Sequence, residues 1–232
     1  MKYKNLVFLG TSHIAKQSLD EVKEGIEKEK PEIIALELDS KRISGLMQKG
    51  ERKIEFRAIK KIGIKGFIFS LFGAWAEKKL GKIVGVAPGS EMKRAIRIAK
   101  KKNIQIALID QDIEITLRRL SKELTWKEKF NFLADIIKAL FTRKKEIEFD
   151  LTKVPEKKII KKLVEKLKER YPNIYKVLIE ERNAVIASNL KNLINAYPEK
   201  KILVILGAGH VDDVVGILKQ KYDSISYSFN NS

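Results

Sequence analysis

The 232-residue chain contains no cysteine and only two histidines. Without cysteine the protein has neither a disulfide framework nor a thiolate metal site, and this composition suits a reducing compartment. Any bound metal ion would therefore need histidine and carboxylate ligands. The composition predicts a cytoplasmic protein whose chemistry, if it uses imidazole, depends on His13 or His210.

Long apolar runs are also missing, since no stretch approaches the roughly 20 residues that a membrane-spanning helix needs. The most apolar segment, residues 62–76, is shorter and contains Lys65. The first apolar run of the chain is too short for the core of a signal peptide. We expect a soluble protein in which segment 62–76 forms a core helix or a homo-oligomer contact. Peripheral membrane contact through this segment is the less favoured alternative.

The chain is strongly basic, with a net charge of +18 and an isoelectric point near 9.8. An anionic partner, either nucleic acid or a lipid surface, is one explanation. However, the lysines are spread along predicted helices and mixed with glutamate, as in heat-adapted proteins. No basic tract carries the interleaved aromatic residues of a nucleic-acid platform. We favour thermal adaptation and expect no nucleic-acid partner.

Apolar runs with strand character alternate with amphipathic helical patterns along much of the chain. Strands are predicted at residues 5–9, 32–38, 83–86, 104–109, 201–206 and 224–229. This alternation predicts an α/β fold in which a largely parallel or mixed central sheet is flanked by helices. Residues 112–197 show only helical periodicity, which predicts an inserted helical cap within a single domain spanning residues 1–232.

Both histidines occupy the same local frame, a strand-like run followed by Gly-x-x-His. The first frame is Gly10 to His13 and the second is Gly207 to His210. In α/β folds, ligands bind at the carboxyl ends of strands, where such turns lie. Glycine permits a positive φ or a close backbone approach at a turn. We therefore predict that the two histidines converge at one end of the sheet.

A carboxylate, Glu37, ends the second predicted strand, where its burial is costly unless it is paired or bound to metal. If the first two predicted strands are neighbours, Glu37 lies near His13. Together with His210 they would form a two-histidine, one-carboxylate set that leaves coordination positions open for water and substrate. A metal held there would lower the pKa of bound water toward about 7. The alternative is a structural ion pair between Glu37 and Arg42.

Further charged residues lie at a strand end and on a helix otherwise rich in small apolar residues. Asp110 ends the predicted strand at 104–109, and Glu181 and Arg182 lie on the helix. Arg182 is expected to stabilise an oxyanion or to orient a carboxylate, and a plain salt bridge to Asp110 is an equally good interpretation.

The turn after Gly207 begins like a dinucleotide-binding turn. However, its third glycine position holds Asp212, which would repel a pyrophosphate. We expect no nucleotide cofactor.

These motifs together resemble the TraB/PrgY family, part of a superfamily with Tiki-type metalloproteases, GumN-like proteins and erythromycin-esterase-like enzymes. The matching motifs are Gly10-Thr11-Ser12-His13, Ile34-Ala35-Leu36-Glu37-Leu38-Asp39 with Arg42, Val86-Ala87-Pro88-Gly89-Ser90-Glu91, Leu108-Ile109-Asp110-Gln111-Asp112-Ile113, Thr116-Leu117-Arg118-Arg119, Glu181-Arg182-Asn183 and Gly207-Ala208-Gly209-His210-Val211.

The resemblance implies a hydrolase-like core of α/β class with a defined active centre. That centre consists of His13, Glu37 and His210, which would also bind the metal, with charged support from Arg42, Arg182, Glu181 and Asp110. In Tiki-like members the site is associated with divalent manganese or cobalt, and zinc is a further alternative. In erythromycin-esterase-like members a histidine is proposed as general base without metal.

A metal-dependent hydrolase of peptide or ester bonds is therefore the leading interpretation, with a peptide or small-molecule substrate. In it, Arg42 or Arg182 would stabilise the developing oxyanion. PrgY-like members are linked to blocking a secreted peptide pheromone. Accordingly, the alternative is a non-catalytic protein that binds a peptide or another anionic ligand.

Overall fold

The computed structural model describes residues 1–11, 16–47, 89–141 and 157–229. His13, the predicted strand at 83–86 and the apolar segment 62–76 lie outside these residues. Among the described helices, none is both long enough and apolar enough to span a membrane.

The described strands form one five-stranded sheet. In chain order they are β1 (Lys2–Tyr3), β2 (Leu6–Thr11), β3 (Ile33–Leu36), β4 (Gln105–Leu108) and β5 (Ile202–Gly207). Their spatial order is β1-β2-β5-β3-β4, and only the β1–β2 pair is antiparallel. The mixed central sheet that the sequence predicts is therefore confirmed.

The two strands expected to be neighbours are in fact separated by β5. Val204 of β5 pairs with Phe8 of β2 on one side and with Ala35 of β3 on the other. Every residue of β5 is buried, because a parallel strand covered on both faces must be apolar along its whole length. The condition that the first two predicted strands are neighbours is thus not met. Even so, β2, β5 and β3 run parallel and end at the same edge.

Helices occupy the connections between the strands. In chain order they are α1 (Lys16–Glu29), α2 (Ser40–Met47), α3 (Ser90–Lys102), α4 (Ile113–Glu123), α5 (Trp126–Phe141), α6 (Lys157–Arg170), α7 (Pro172–Tyr175), a π-helical segment (Lys176–Glu180), α8 (Glu181–Ala196) and α9 (Val211–Phe229). Helices α4 to α8 lie between β4 and β5, as the predicted cap requires.

The strand predicted at residues 224–229 was wrong, because α9 continues through them. Its first half buries Val211, Val214, Val215 and Leu218 at helical spacing. Alternation of polar and apolar residues predicts a strand only where another strand is available for pairing. Here the preceding helical segment propagates instead, since each added residue of a helix contributes its own hydrogen bond.

Alternate residues of the strands enter two separate apolar cores. Ile34 and Leu36 of β3 pack with residues of α1 and α3, such as Ile26 and Ile96. On the other face, Ile33 and Ala35 pack with residues of α8 and α9, including Ile186, Leu190, Val214 and Leu218. Full burial of one such side chain contributes about 1.5–3 kcal/mol. The sheet is therefore covered by helices on both faces, and α8 of the cap is one of them.

The start of α5 is fixed by a capping box, the reciprocal pairing of a hydroxyl and a carboxylate at a helix N-terminus. The Thr125 hydroxyl accepts from the Glu128 N–H at 3.3 Å, and Glu128 Oε2 accepts from the Thr125 N–H at 3.1 Å. Glu128 also accepts from the backbone N–H and side-chain amide of Asn173, at 2.7 and 3.0 Å. One carboxylate, only 2% exposed, thus caps α5 and joins it to the start of α7.

We predict that Glu128→Ala lowers the free energy of unfolding by about 2 kcal/mol, because two helix starts each lose a cap. Burial acts to raise the pKa of Glu128, but hydrogen bonds from Asn173 and Thr125 outweigh it and lower that pKa. The stabilisation is therefore present above about pH 4.5 and is lost as the pH falls below that value. Urea denaturation across pH 3–7, with exposed Glu169→Ala as control, checks both points. If the difference in unfolding free energy between the parent protein and Glu128→Ala does not change with pH, the capping role of the ionised Glu128 carboxylate would be contradicted.

Candidate functional site

Glu37 follows β3 directly and is 3% exposed. Its Oε2 accepts from the Gly207 N–H at 2.6 Å, and its Oε1 accepts from Arg182 Nη2 at 2.5 Å. The Glu37 N–H donates to the Ile205 carbonyl at 3.2 Å. Charge-assisted hydrogen bonds of this kind are what allow a carboxylate to remain buried. Glu37 therefore connects the ends of β3 and β5 to α8 of the cap.

Arg182 lies between two buried carboxylates. Its Nε and Nη2 donate to Asp110 at 3.1 and 2.6 Å, while Nη2 also reaches Glu37. Its Nη1 donates to the Leu178 carbonyl at 3.2 Å, within the π-helical segment. Burial acts to lower the pKa of Arg182, but the hydrogen bonds and charges of Asp110 and Glu37 outweigh it and raise that pKa. Arg182 thus both orients the Glu37 carboxylate and forms a salt bridge with Asp110, two interpretations that the sequence left open.

Arg42 lies on the far side of Asp110 rather than beside Glu37. Its Nη2 pairs with Asp110, and its Nε donates to Asp39 at 2.6 Å. Burial acts to lower the pKa of Arg42, and the opposing effect of Asp110 and Asp39 raises it. The ion-pair partner of Glu37 is therefore Arg182 and not Arg42. The two arginines and three carboxylates alternate along one continuous network.

His210 is the last residue before α9 and is 7% exposed. Its Nε2 lies 3.5 Å from Glu37 Oε1, and its Nδ1 lies 2.6 Å from Asn183 Oδ1. Two members of the predicted centre, Glu37 and His210, are thus close together. His13 lies outside the described residues, so its convergence on them stays a prediction.

Neither glycine of the two histidine frames, Gly10 or Gly207, has a positive φ, and Gly10 serves a close contact instead. A Cβ on Gly10 would lie 3.3 Å from Ala208 Cα and 3.4 Å from Val211 Cγ2. The Ala208 N–H donates to the Thr11 carbonyl at 2.8 Å. Gly10 therefore lets β2 approach the turn that carries His210.

We predict that Gly10→Ala lowers the free energy of unfolding by about 1–3 kcal/mol, since the added methyl overpacks a backbone contact. Gly216→Ala is the matched control, because nothing lies within 4 Å of a Cβ there and the residue is inside α9. That control should stabilise the protein by about 0.5–1 kcal/mol. Thermal or urea denaturation measures both variants. Equal effects would show that the approach of Gly10 to the turn is not tight.

Glu181 faces a different element from the rest of the predicted site. It pairs with Arg119 of α4, whose Nη2 lies 2.7 Å from Oε1 and whose Nε lies 3.2 Å from Oε2. The hydrogen bonds from Arg119 lower the pKa of Glu181. Its expected support of the centre is therefore indirect, through the ion pair that joins α8 to α4.

Three polar residues of the site had no role assigned from the sequence. Asn183 contacts His210, Asp39 contacts Arg42, and Asp213 accepts from Asn183 Nδ2 at 3.2 Å. Because side chains alternate along a strand, the sequence already indicated that Asp39 lies on the same face as Glu37, so Asp39 could have been predicted as a site residue. Asn183 stood in the family-like motif with Arg182. Nothing in the pattern distinguished Asp213 from its neighbour Asp212.

Among the described residues, no group of three or more histidine and carboxylate side chains is arranged to hold a metal ion. They supply two of the three predicted ligands, His210 and Glu37. These two fit the role, because imidazole nitrogens and carboxylate oxygens are both ordinary ligands of divalent transition metals. Metal-binding histidines typically donate the N–H of the other ring nitrogen to a nearby acceptor, and Asn183 Oδ1 lies in that position beside His210 Nδ1. The third predicted ligand is His13.

We predict that Arg182→Gln lowers the free energy of unfolding by about 3–5 kcal/mol, since it leaves Glu37 and Asp110 buried without their shared counter-charge. Arg119→Gln is the comparison, because it also breaks an arginine–glutamate pair but one at the surface. Surface pairs contribute little, so that variant should stay close to the parent protein in urea denaturation. Similar losses of unfolding free energy in both variants would show that the burial of the Arg182 ion pairs does not raise their contribution to stability.

Fold and site together define an α/β protein with a buried centre of histidine, glutamate and arginine at the carboxyl edge of its sheet. The chain belongs to the TraB/PrgY/gumN family, whose model matches residues 2–222. It is 37% identical over 224 residues to the uncharacterized protein MJ1365 of Methanocaldococcus jannaschii, a match covering 93% of this chain and 54% of that protein.

Mammalian relatives are more distant. The TraB domain-containing proteins of Mus musculus and Homo sapiens are each 20% identical, over 238 and 236 residues. Each match covers 89% of this chain and 60% of the relative. The chain therefore spans little more than half the length of these relatives.

Proposed function

We propose that this protein is a metal-dependent hydrolase of peptide or ester bonds, with His210, Glu37 and His13 at its centre. The observation that supports this most is the 3.5 Å separation of His210 Nε2 and Glu37 Oε1, both nearly excluded from water. An imidazole and a carboxylate brought together at the carboxyl edge of an α/β sheet are suited to general acid–base work or to metal binding. A cytoplasmic location is part of the proposal, because the chain lacks cysteine.

A divalent ion would be held by His210 Nε2, Glu37 and His13, with manganese or cobalt favoured and zinc as the alternative. When bound, such an ion polarises the scissile carbonyl and lowers the pKa of a bound water toward about 7. Glu37 supplies negative charge, and the Gly207 N–H and Arg182 keep its carboxylate oriented.

Arg182 acts mainly through Glu37 in this proposal. Its Nε, Nη1 and Nη2 already donate to Asp110, Leu178 and Glu37. An oxyanion would need donors preorganised toward it, and those of Arg182 are directed elsewhere. Its role is therefore to hold the carboxylate in place, and its charge contributes only to the local field.

We predict that His210→Gln reduces the hydrolysis of a mixed peptide and ester panel at least about 100-fold, because it removes a ligand or base from the centre. It should also remove stoichiometric metal from protein purified without a metal-binding tag, as measured by elemental analysis. Exposed Glu199→Gln, in the turn before β5, is the control for both measurements.

Unchanged metal content and unchanged hydrolysis in His210→Gln would end the proposal. Tight peptide binding with the intact peptide recovered by mass spectrometry would instead favour the non-catalytic alternative.

A further inference from the structure

On the side away from Glu37, the imidazole of His210 contacts Asn183, which in turn contacts Asp213. Asn183 is 2% exposed, and its Oδ1 lies 2.6 Å from His210 Nδ1. Its Nδ2 lies 3.2 Å from Oδ2 of Asp213, an exposed residue in the first turn of α9. The chain of contacts therefore runs from Asp213 through Asn183 to His210, and from there to Glu37.

The chemistry of these groups decides which atom carries each hydrogen. An ionised carboxylate only accepts hydrogen bonds, so the end of Asn183 that faces Asp213 must be the NH₂ group. The carbonyl of Asn183 then faces His210, and because a carbonyl also only accepts, Nδ1 must carry a hydrogen. Asp213 thereby resolves both the amide orientation and the ring tautomer, which are otherwise ambiguous.

We propose that Asn183, oriented by Asp213, is a positioning residue that selects the Nδ1–H tautomer of His210. In the neutral ring the lone pair then lies on Nε2, the nitrogen that faces Glu37. Glu37 also only accepts, but its Oε1 lies 3.5 Å from Nε2, beyond the usual hydrogen-bond range, whereas Asn183 Oδ1 lies 2.6 Å from Nδ1. The opposite tautomer would place a hydrogen on Nε2 and direct it at Glu37 Oε1. That nitrogen could then neither bind a metal nor accept a proton. The catalytic meaning of this selection rests on the proposed function, whereas the tautomer itself does not.

The local backbone favours this arrangement. Arg182 and Asn183 are consecutive residues in the first turn of α8, yet the first binds Glu37 and the second binds His210. They directly follow the π-helical segment Lys176–Glu180. π-Helical turns inside α-helices occur frequently at functional sites, where they shift the register of the side chains that follow. Here the adjacent side chains of Arg182 and Asn183 hold Glu37 and His210, which contact each other.

The decisive measurement is the tautomer of His210 by ¹⁵N NMR at about pH 9, where imidazole is ordinarily neutral. The chain has only two histidines, so the His210 signals are identified by their disappearance in His210→Gln. We expect a protonated Nδ1 and an unprotonated Nε2. Asn183→Leu should shift the population toward Nε2–H, because the acceptor opposite Nδ1 is gone.

Asn189→Leu is the matched control on the same helix. Its amide donates to the Ile109 carbonyl at 2.9 Å, so this variant also loses one partly buried amide but should leave the His210 tautomer unchanged. The double variant Asn183→Asp/Asp213→Asn exchanges amide and carboxylate. It should restore Nδ1–H, because an acceptor again faces Nδ1.

Hydrolysis or metal affinity should fall about 10–100-fold in Asn183→Leu, the usual effect of losing such a supporting contact, and should recover in the exchange variant. If Asn183→Leu does not fold, exposed Asp213→Ala tests the same point, and we expect a mixture of tautomers. An Nε2–H tautomer in the parent protein, or an unchanged tautomer in the folded variants, would overturn the inference.

The two proposals fail separately. Parent protein with the expected tautomer but no hydrolysis of any substrate would refute the proposed function alone. Hydrolysis by a parent protein with an Nε2–H ring would refute the tautomer selection alone.

Discussion

The structure depends on the burial of one carboxylate, Glu37, at the end of an apolar strand. Without partners its desolvation would cost several kcal/mol. The Gly207 N–H and Arg182 offset this cost from two different directions. Glu37 needs both hydrogen bonds to remain buried, so the end of β5, which supplies the Gly207 N–H, and the first turn of α8, which supplies Arg182, must meet at this point. Buried ion pairs add little net stability over apolar packing, so their main effect here is to fix where the cap contacts the sheet.

The buried network carries an imbalance of charge that bears on the proposed function. It joins three carboxylates, Glu37, Asp39 and Asp110, through the two guanidinium groups of Arg42 and Arg182. Counted over these five described residues, one formal negative charge remains. In a medium of low dielectric constant, such a charge favours a nearby cation strongly. A metal ion at the Glu37 end of the network, as proposed above, would balance this charge.

Local patterns predicted the α/β class, the helical cap and the buried Glu37, because each depends on periodicity or on the cost of burying a charge. The position of β5 between β2 and β3 could not be predicted in this way. Pairing of distant strands depends on which faces the helices cover, and all the parallel strands are similarly apolar. The identity of Arg182 as the partner of Glu37 could not be predicted for the same reason. Arg182 reaches the end of the sheet only because α8 packs on it.

The packing of α8 therefore couples the stability of the core to the geometry of the site. Ile186 and Leu190 lie in the core shared with β5, one and two turns after Arg182 and Asn183. Any shift of α8 along the sheet would disturb that core and would move both polar side chains by the same amount. Since close-packed interiors resist small displacements, the contacts to Glu37 and His210 inherit the rigidity of the apolar layer. A site assembled from residues this distant in sequence needs such a layer, because no local segment holds its parts together.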